Sequence, residues 1–256
     1  MVQVQVSAFD VTASDFDRHR SLPDGVPQAI RSAVLGAIGT PCPRLLDLGA
    51  GTGRIGWPFV AAGDDYVGAD LSLAMLRAFR RRCSARLIQA DGERLPFRDG
   101  AFDAVMLIQV FGGMRGWRRV LAEGWRVLRP AGALVIGRTA APADGVDAQM
   151  KQRLAEILAE MAVARDRSDP RDEALRFLEE TASGSRVNAA AWNAERTPRG
   201  FLDRHRTGAR FAALPTSIKD ESLRQLAAWA TTTFGSLDAA FSEPNFFELR
   251  IFRQQA

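Results

Sequence analysis

One stretch decides the fold of this chain: Arg44-Leu45-Leu46-Asp47-Leu48-Gly49-Ala50-Gly51-Thr52-Gly53-Arg54. Its first half is a short apolar run with one acid, which predicts a buried strand over Leu45 to Leu48. Three glycines at alternate positions follow, and a helical pattern begins after them. A strand that turns through glycines into a helix presents bare backbone amides to an anionic or polar ligand. The stretch predicts a nucleotide-type pocket, although glycine turns that only close a strand–helix corner are common.

The spacing of the glycines bears on the kind of nucleotide. A dinucleotide fingerprint has G-x-G-x-x-G, with a ribose-binding acid roughly 20 residues later. Gly49, Gly51 and Gly53 give G-x-G-x-G, and Gly56 makes the dinucleotide spacing formally available. Asp47 lies two residues before the first glycine, where a carboxylate attracts an ammonium and repels a pyrophosphate. The acid therefore favours a ligand that carries an ammonium.

Length and composition set the class of protein. A chain of 256 residues with 46% hydrophobic residues predicts one large α/β domain, or one domain with an insertion. No run approaches the roughly 20 apolar residues of a membrane span, and the first residues lack a signal pattern. The two cysteines make neither a disulfide scaffold nor a metal site, so we expect no metal and a reduced, cytoplasmic setting.

The net charge of +4 raises the question of a nucleic-acid partner. All but two of the 34 basic residues are arginines, spread along the chain and interleaved with acids. We favour solvated helix faces over an RNA-binding surface by about three to one, because no RNA-module motif and no aromatic-rich basic stripe is present.

Acidic residues recur at the ends of the predicted strands. Beyond Leu45–Leu48, strands are predicted at 66–70, 87–91, 102–108 and 133–137, with helices between them. This alternation predicts a parallel, doubly wound sheet that binds ligands at the carboxyl ends of its strands. Asp47, Asp70 and Asp91 lie at or near three successive strand ends, which is a more specific signal than the glycines.

Asp70 has two interpretations. It follows Gly53 at nearly the distance expected of a ribose-binding carboxylate. It could instead cap the helix predicted from Leu71 to Arg82. Ser72 is able to cap that helix as well, so we favour ligand contact by about two to one.

The rest of the chain surrounds this core. Further helices are predicted at 27–38, 146–165, 170–181, 197–208 and 220–234, a loop at 183–185, and strands at 209–214 and 246–252, the last at an antiparallel edge. The fold class is α/β, a doubly wound, Rossmann-like, seven-stranded and mostly parallel sheet with an antiparallel last strand and helical lid insertions. A single domain, 1–256, would consist of an N-terminal helical cap (1–40), a ligand-binding core (41–140), a helical lid insertion (141–197) and a C-terminal part of the sheet with an inserted helix (198–256).

Four sequence blocks resemble the class I S-adenosylmethionine-dependent methyltransferases. They are Leu46-Asp47-Leu48-Gly49-Ala50-Gly51-Thr52-Gly53, then Gly68-Ala69-Asp70-Leu71-Ser72, then Gln89 to Phe97, and finally Phe102-Asp103-Ala104-Val105 with Arg126 to Gly132. Together they cover about residues 44 to 138, and their joint occurrence in this order is far more specific than any one block. Residues 13–20, followed by Pro23, are similar to the first helix of the small-molecule branch, with Phe16 in place of its tyrosine.

The resemblance implies that the cofactor is S-adenosylmethionine and the product S-adenosylhomocysteine. Asp47 would meet the ammonium of the methionine moiety, and Asp70 would accept from both ribose hydroxyls. Leu71 would lie against the adenine, and Asp91 would accept from its amino group. The other cofactor-binding residues that the resemblance implies are Gly49, Ala50, Gly51, Gly53, Gly92, Gln109, Phe16 and Arg20.

The acceptor side is less well defined. Many relatives have polar residues after the fourth strand, whereas this chain has Phe111-Gly112-Gly113-Met114. An easy candidate for a general base is therefore missing. His19 and His205 are the only histidines, and each could be a general base or a structural residue. The predicted acceptor pocket is lined by Phe9, Phe16, His19, Met114, Trp192 and His205, although lid packing is the favoured role of Trp192.

The predicted activity is transfer of a methyl group to an O, N or C nucleophile of a small molecule by in-line displacement. The alternatives are an RNA or protein methyltransferase, a catalytically silent module that binds S-adenosylmethionine, and a nicotinamide oxidoreductase. An RNA enzyme would need a basic groove and strongly salt-dependent binding. We expect a monomer or homodimer that acts on a small molecule, without nucleic-acid or membrane partners.

Overall fold

The computed structural model describes residues 22–111, 114, 116–161, 163, 170–206 and 214–254. Their strands are β1 (Leu45–Leu48), β2 (Tyr66–Asp70), β3 (Arg86–Gln89), β4 (Phe102–Ile108), β5 (Leu128–Ala140), β6 (Ala182–Arg196) and β7 (Phe241–Gln254). Their helices are α1 (Val26–Ile38), α2 (Trp57–Ala61), α3 (Leu73–Arg82), α4 (Trp117–Val127), α5 (Val146–Glu160), α6 (Pro170–Thr181), α7 (Pro198–Arg206) and α8 (Thr216–Phe234).

The seven strands form one sheet in the order β3-β2-β1-β4-β5-β7-β6. The pairs from β3 to β5 are parallel, and the sheet is mixed because its last strands are antiparallel. The predicted Rossmann-like fold is confirmed. The strand order reverses between β1 and β4, and ligands of doubly wound sheets bind at the carboxyl ends of the strands beside such a reversal.

Apolar side chains cover both faces of the sheet. Leu46, Leu48 and Leu107 belong to one large cluster, which also includes residues of α4 and α6. The neighbouring positions Leu45 and Tyr66 are also almost fully buried. Burial on both faces is typical of parallel strands, and it explains why β1 and β4 are continuous apolar runs.

The chain divides into two compact units. The first consists of Met1–Thr139, Ser168–Ala190 and Phe247–Ala256, and it contains most of the sheet with α1 to α4 and α6. The second consists of Ala140–Arg167 and Ala191–Phe246, where α5, α7 and α8 share a small apolar core. These boundaries differ from the predicted ones at 141–197 and 198–256, because α6 packs on the sheet and not with α5.

Two predictions about the last strands are wrong. Ser183-Gly184-Ser185 is not a loop but the start of β6, where strand pairing overrides the weak strand preference of small residues. β7 is not the edge strand, because β6 pairs on its outer side. The predicted strand at 209–214 lies almost wholly outside the described residues, and the sixth strand of the described chain is β6 instead.

Candidate functional site

The glycine turn after β1 requires its glycines. Gly49, Gly51 and Gly53 have φ values of +86°, +55° and +79°, a left-handed region that disfavours side chains. The amides of Gly49 and Ala50 both donate to the carbonyl of Ala69, at 2.8 and 3.0 Å. The turn is therefore fixed to the carboxyl end of β2.

The three glycines differ in what surrounds them. A Cβ on Gly53 would lie 2.2 Å from the ring of Phe79, and one on Gly49 would lie 2.3 Å from a methyl group of Val110. Among the described residues, a Cβ on Gly51 would meet nothing closer than the Gly49 carbonyl oxygen at 3.9 Å. Gly51 thus presents open backbone, which is the surface that a ligand lying against this turn needs.

Asp70 connects the glycine turn to the end of β2. Its carboxylate accepts from the amides of Gly51 and Ser72, each at 2.8 Å. The hydroxyl of Ser72 accepts from the Met75 amide at 3.2 Å, so Ser72 and not Asp70 caps α3. The two amides therefore orient the Asp70 carboxylate at the end of β2.

Asp47 is buried beneath the turn, with 3% of its surface exposed. The hydroxyl of Tyr66 donates to Oδ2 of this carboxylate at 2.6 Å. Among the described residues, no second group donates a hydrogen bond to it. The Oδ1 atom of Asp47 thus accepts no hydrogen bond from the described residues and is left for a donor on a ligand.

The strand register orders these acids. Asp47 pairs with Gly68 and Asp70 pairs with Gln89, so Asp70 lies two residues further along the sheet and on the same face as Asp47. That step is about 6.6 Å in a parallel sheet. Asp91 lies two residues beyond Gln89, outside β3, where its carboxylate is exposed and accepts from the Glu93 amide at 2.9 Å. The three carboxylates therefore lie at successive positions along the strand direction, which suits a ligand that is extended in that direction.

The apolar part of the candidate site is exposed. Leu71, directly after Asp70, is 37% exposed, so its side chain is accessible at the end of β2. Gly92 follows Asp91, and a Cβ there would touch Val120 at 3.4 Å. Leu71 is thus available to an adenine ring.

Gln109 lies just past β4 in a left-handed conformation, with φ of +58°. Its side chain accepts from the Arg54 guanidinium and donates to the Thr139 hydroxyl, both at 3.0 Å. The site therefore includes Arg54 and Thr139, which sequence reasoning did not select. Arg54 was adjacent to the last glycine and could have been chosen on that ground, whereas Thr139 and Tyr66 carried no local signal.

The predicted acceptor residues do not form one described cluster. Phe9, Phe16, His19 and Arg20 lie outside the described residues. Met114 packs against the large cluster of the first unit, and Trp192 is half-buried on β6 in the second unit.

His205 also belongs to the second unit. Its ring stacks on Phe201 with centroids 3.8 Å apart, and its Nδ1 atom lies 3.1 Å from the Phe201 carbonyl oxygen. Burial lowers the pKa of His205 and so favours the neutral ring. A catalytic role for His205 stays a prediction.

Burial also determines the charge of Asp47. Desolvation raises the pKa of its carboxyl from 3.8 to about 6, against the opposing effect of the Tyr66 hydrogen bond, and the nearby Asp70 charge adds to the rise. At pH 7 the carboxyl is mostly ionised. Its charge therefore lies in a poorly solvated position beside the glycine turn.

Replacing Asp47 with asparagine is expected to stabilise the folded protein at neutral pH. A carboxyl whose pKa rises on folding penalises the folded state once it ionises, so the penalty is absent below about pH 4 and complete above about pH 6. The interval from 3.8 to about 6 corresponds to about 3 kcal/mol. Urea unfolding at pH 4 and pH 8 measures the difference, and an Asp47→Asn variant less stable than the parent at pH 8 would contradict it.

The described residues hold no group of three or more histidines, cysteines or acids that could bind a metal ion. None of the helices in the described ranges is long and apolar enough to cross a membrane.

Comparison with known proteins places residues 46–136 in the family described as methyltransferase domain. The demethylmenaquinone methyltransferase of Renibacterium salmoninarum is 37% identical over 140 residues, which are 54% of this chain and 59% of that protein. The enzyme of the same name from Thermus thermophilus is 41% identical over 100 residues, 36% of this chain and 46% of that protein. The chain thus spans about half the length of the curated relatives it matches.

The YcgJ protein from Bacillus subtilis has a similar solved structure, with a TM-score of 0.58 and 18% identity over 90% of this chain and 99% of that chain. Identity this low shows the fold alone. Together these comparisons confirm the resemblance of residues 44–138 to the class I S-adenosylmethionine-dependent methyltransferases.

Proposed function

We propose that this chain, which carries a methyltransferase domain over residues 46–136, transfers a methyl group from S-adenosylmethionine to a small molecule. The observation that carries the proposal is the arrangement of Asp47 and Asp70 on one face of the sheet, with open backbone at Gly51 next to them. An ammonium, a sulfonium and a ribose follow one another in S-adenosylmethionine in the order that this arrangement requires.

The residues present fit that ligand. Asp47 has one oxygen, Oδ1, without a hydrogen bond from the described residues, which the ammonium would meet, and the space beside Gly51 would hold the methionine chain. Asp70, which the turn amides already orient, is placed to accept from ribose hydroxyls. Leu71 would pack on the adenine and Asp91 would accept from its amino group. Gln109 and Arg54 would border the methionine tail.

The cofactor, when bound, supplies a methyl group already activated by a sulfonium. The protein therefore has to hold both partners in line, and proximity alone contributes on the order of 7–11 kcal/mol to such reactions. The residues named above would hold one partner, the cofactor. A general base is required only for an acceptor that must lose a proton before or during attack.

For the methyl acceptor, we propose a chemical class and not a particular compound. We propose an O, N or C nucleophile on a small molecule, supported by relatives named demethylmenaquinone methyltransferase. The matched family covers residues 46–136, so the second unit, Ala140–Arg167 and Ala191–Phe246, lies outside the match. Two free cysteines, Cys42 and Cys83, support a reducing, cytoplasmic location.

Calorimetry followed by turnover tests the proposal. We expect S-adenosylhomocysteine to bind with micromolar or tighter affinity and NAD to show no heat of binding. Methyl-labelled S-adenosylmethionine, incubated with quinol, phenol and amine acceptors, should then transfer label to one acceptor class.

Three results would favour the alternatives. NAD binding would indicate an oxidoreductase, and label transferred to tRNA or protein with strong salt dependence would indicate a macromolecular acceptor. Tight S-adenosylhomocysteine binding without turnover on any acceptor would indicate a silent binding module.

A further inference from the structure

Tyr66 is fixed in the core directly below the candidate site. It is 2% exposed, and its ring lies 5.9 Å from that of Phe59 and 6.1 Å from that of Phe79, measured between centroids. A Cβ on Gly56 would lie 2.2 Å from the Tyr66 hydroxyl oxygen. The hydroxyl therefore occupies space that only a glycine at position 56 leaves, and this explains the fourth glycine of the turn without a dinucleotide.

The hydroxyl has one acceptor, the Oδ2 atom of Asp47 at 2.6 Å. The register makes this contact possible. Tyr66 pairs with Leu45, which lies two residues before Asp47 on the same strand, so Tyr66 and Asp47 are on the same face of the sheet. A neutral donor to a buried carboxylate makes a strong hydrogen bond and favours the ionised form.

The other titratable groups near the pair do not supply such a donor. Asp70 on β2 adds negative charge, which opposes ionisation of Asp47. Cys83, at the end of α3, also acts on Tyr66 through charge. Within the described ranges no arginine or lysine forms an ion pair with Asp47, so the Tyr66 hydroxyl is the group that offsets its burial.

We propose that Tyr66 is a positioning residue for the amino-acid end of the ligand: its hydroxyl holds Asp47 ionised, with the second carboxylate oxygen left for the ligand ammonium. This inference rests on the proposed function, because it names the ammonium of S-adenosylmethionine as the group that Asp47 meets. Tyr66 does not touch the ligand in this scheme and acts only through Asp47.

Two ligands separate this role from a structural one. S-adenosylhomocysteine carries the ammonium, whereas 5′-methylthioadenosine keeps the adenosine and the sulfur but lacks the amino acid. In the parent protein, the affinity for S-adenosylhomocysteine should fall as the pH drops through about 6, where Asp47 becomes protonated. The affinity for 5′-methylthioadenosine should stay level between pH 5 and pH 8.

In the Tyr66→Phe variant, burial of Asp47 is no longer offset. We expect the pH midpoint for S-adenosylhomocysteine binding to rise by about one unit, so the affinity should fall about tenfold at pH 5 and about twofold at pH 7. Affinity for 5′-methylthioadenosine should change less than twofold. In an Asp47→Asn background the Tyr66→Phe change should have no further effect on either ligand, since the two residues act as one unit.

Tyr66 is the only tyrosine in the chain, so biosynthetic incorporation of 3-fluorotyrosine labels this position alone. Fluorine makes the hydroxyl a stronger donor, and the pH midpoint should move down, opposite to the effect of Tyr66→Phe. The labelled protein keeps the hydroxyl, so it provides the test if Tyr66→Phe does not fold. Ser222→Ala, which removes another fully buried hydroxyl, should leave both affinities unchanged.

The outcomes distinguish the two proposals. If the parent protein binds neither adenosyl ligand, the proposed function fails. If it binds both, but Tyr66→Phe and the fluorinated protein leave the midpoint in place or weaken the two ligands equally, the role of Tyr66 is overturned while the function stands.

Discussion

A single methyl group on Gly51 is expected to weaken S-adenosylhomocysteine binding at least 100-fold while the protein stays folded. The added Cβ meets no atom of the described residues closer than 3.9 Å and so enters the space proposed for the ligand. The left-handed conformation of Gly51, with φ of +55°, makes alanine cost about 1–2 kcal/mol of stability. Calorimetry gives the affinity, and thermal unfolding shows that the variant is folded.

Gly53→Ala is the matched control for this experiment. Gly53 has the same backbone handedness, but its Cβ would overlap the ring of Phe79, which is fully buried and unable to yield. We expect a loss of at least about 3 kcal/mol in the free energy of unfolding, because overpacking and backbone strain add. Equal ligand affinity in the parent and in Gly51→Ala would show that no ligand lies against this turn.

Asp70→Asn is expected to produce the second large effect, a loss of 100-fold or more in affinity for both S-adenosylhomocysteine and 5′-methylthioadenosine. Both ligands contain the ribose, so the substitution should remove from both the hydrogen bonds between the ribose hydroxyls and the Asp70 carboxylate. The amide of asparagine would also face the Gly51 or Ser72 amide with a donor, leaving a buried donor unpaired at a cost of about 1–3 kcal/mol. Loss of the Asp47 carboxylate should give a different pattern, because it should weaken binding of S-adenosylhomocysteine and leave binding of 5′-methylthioadenosine unchanged.

Asp64→Asn controls for the loss of an acid from the same region of the sequence. The Asp64 carboxylate accepts from the Arg31 guanidinium at 2.7 and 2.8 Å, at the amino end of β2. Its replacement should lower stability and leave both affinities unchanged. If Asp70→Asn bound both ligands as well as Asp64→Asn does, the ribose contact would be wrong.

Local pattern was enough to predict the centre of the sheet. The strands at Leu45–Leu48, Tyr66–Asp70 and Phe102–Ile108 have the predicted bounds, because each is a buried apolar run between clear turn signals. The glycine turn and the position of Asp70 followed from residue spacing alone. These features depend on residues that are close together in the chain, so the sequence pattern alone is enough to predict them.

The features that sequence reasoning missed depend on pairing between distant segments. β6 is built largely from alanine, serine and asparagine, and only its pairing with β7 makes it a strand. The Tyr66–Asp47 contact joins two strands through their register, and a periodicity argument for either strand alone does not contain it. The division into two units also depends on contacts between distant segments, because each unit is made of separate stretches of the chain.

The strand order has a consequence for synthesis of the protein on the ribosome. β6 is translated before β7, yet in the finished sheet β7 lies between β6 and β5. Until residues 241–254 emerge, the nascent sheet ends at β5 with an unpaired edge, and β6 has no strand to join. Such an edge invites pairing with other chains, so the nascent chain is open to intermolecular strand pairing until residues 241–254 have emerged.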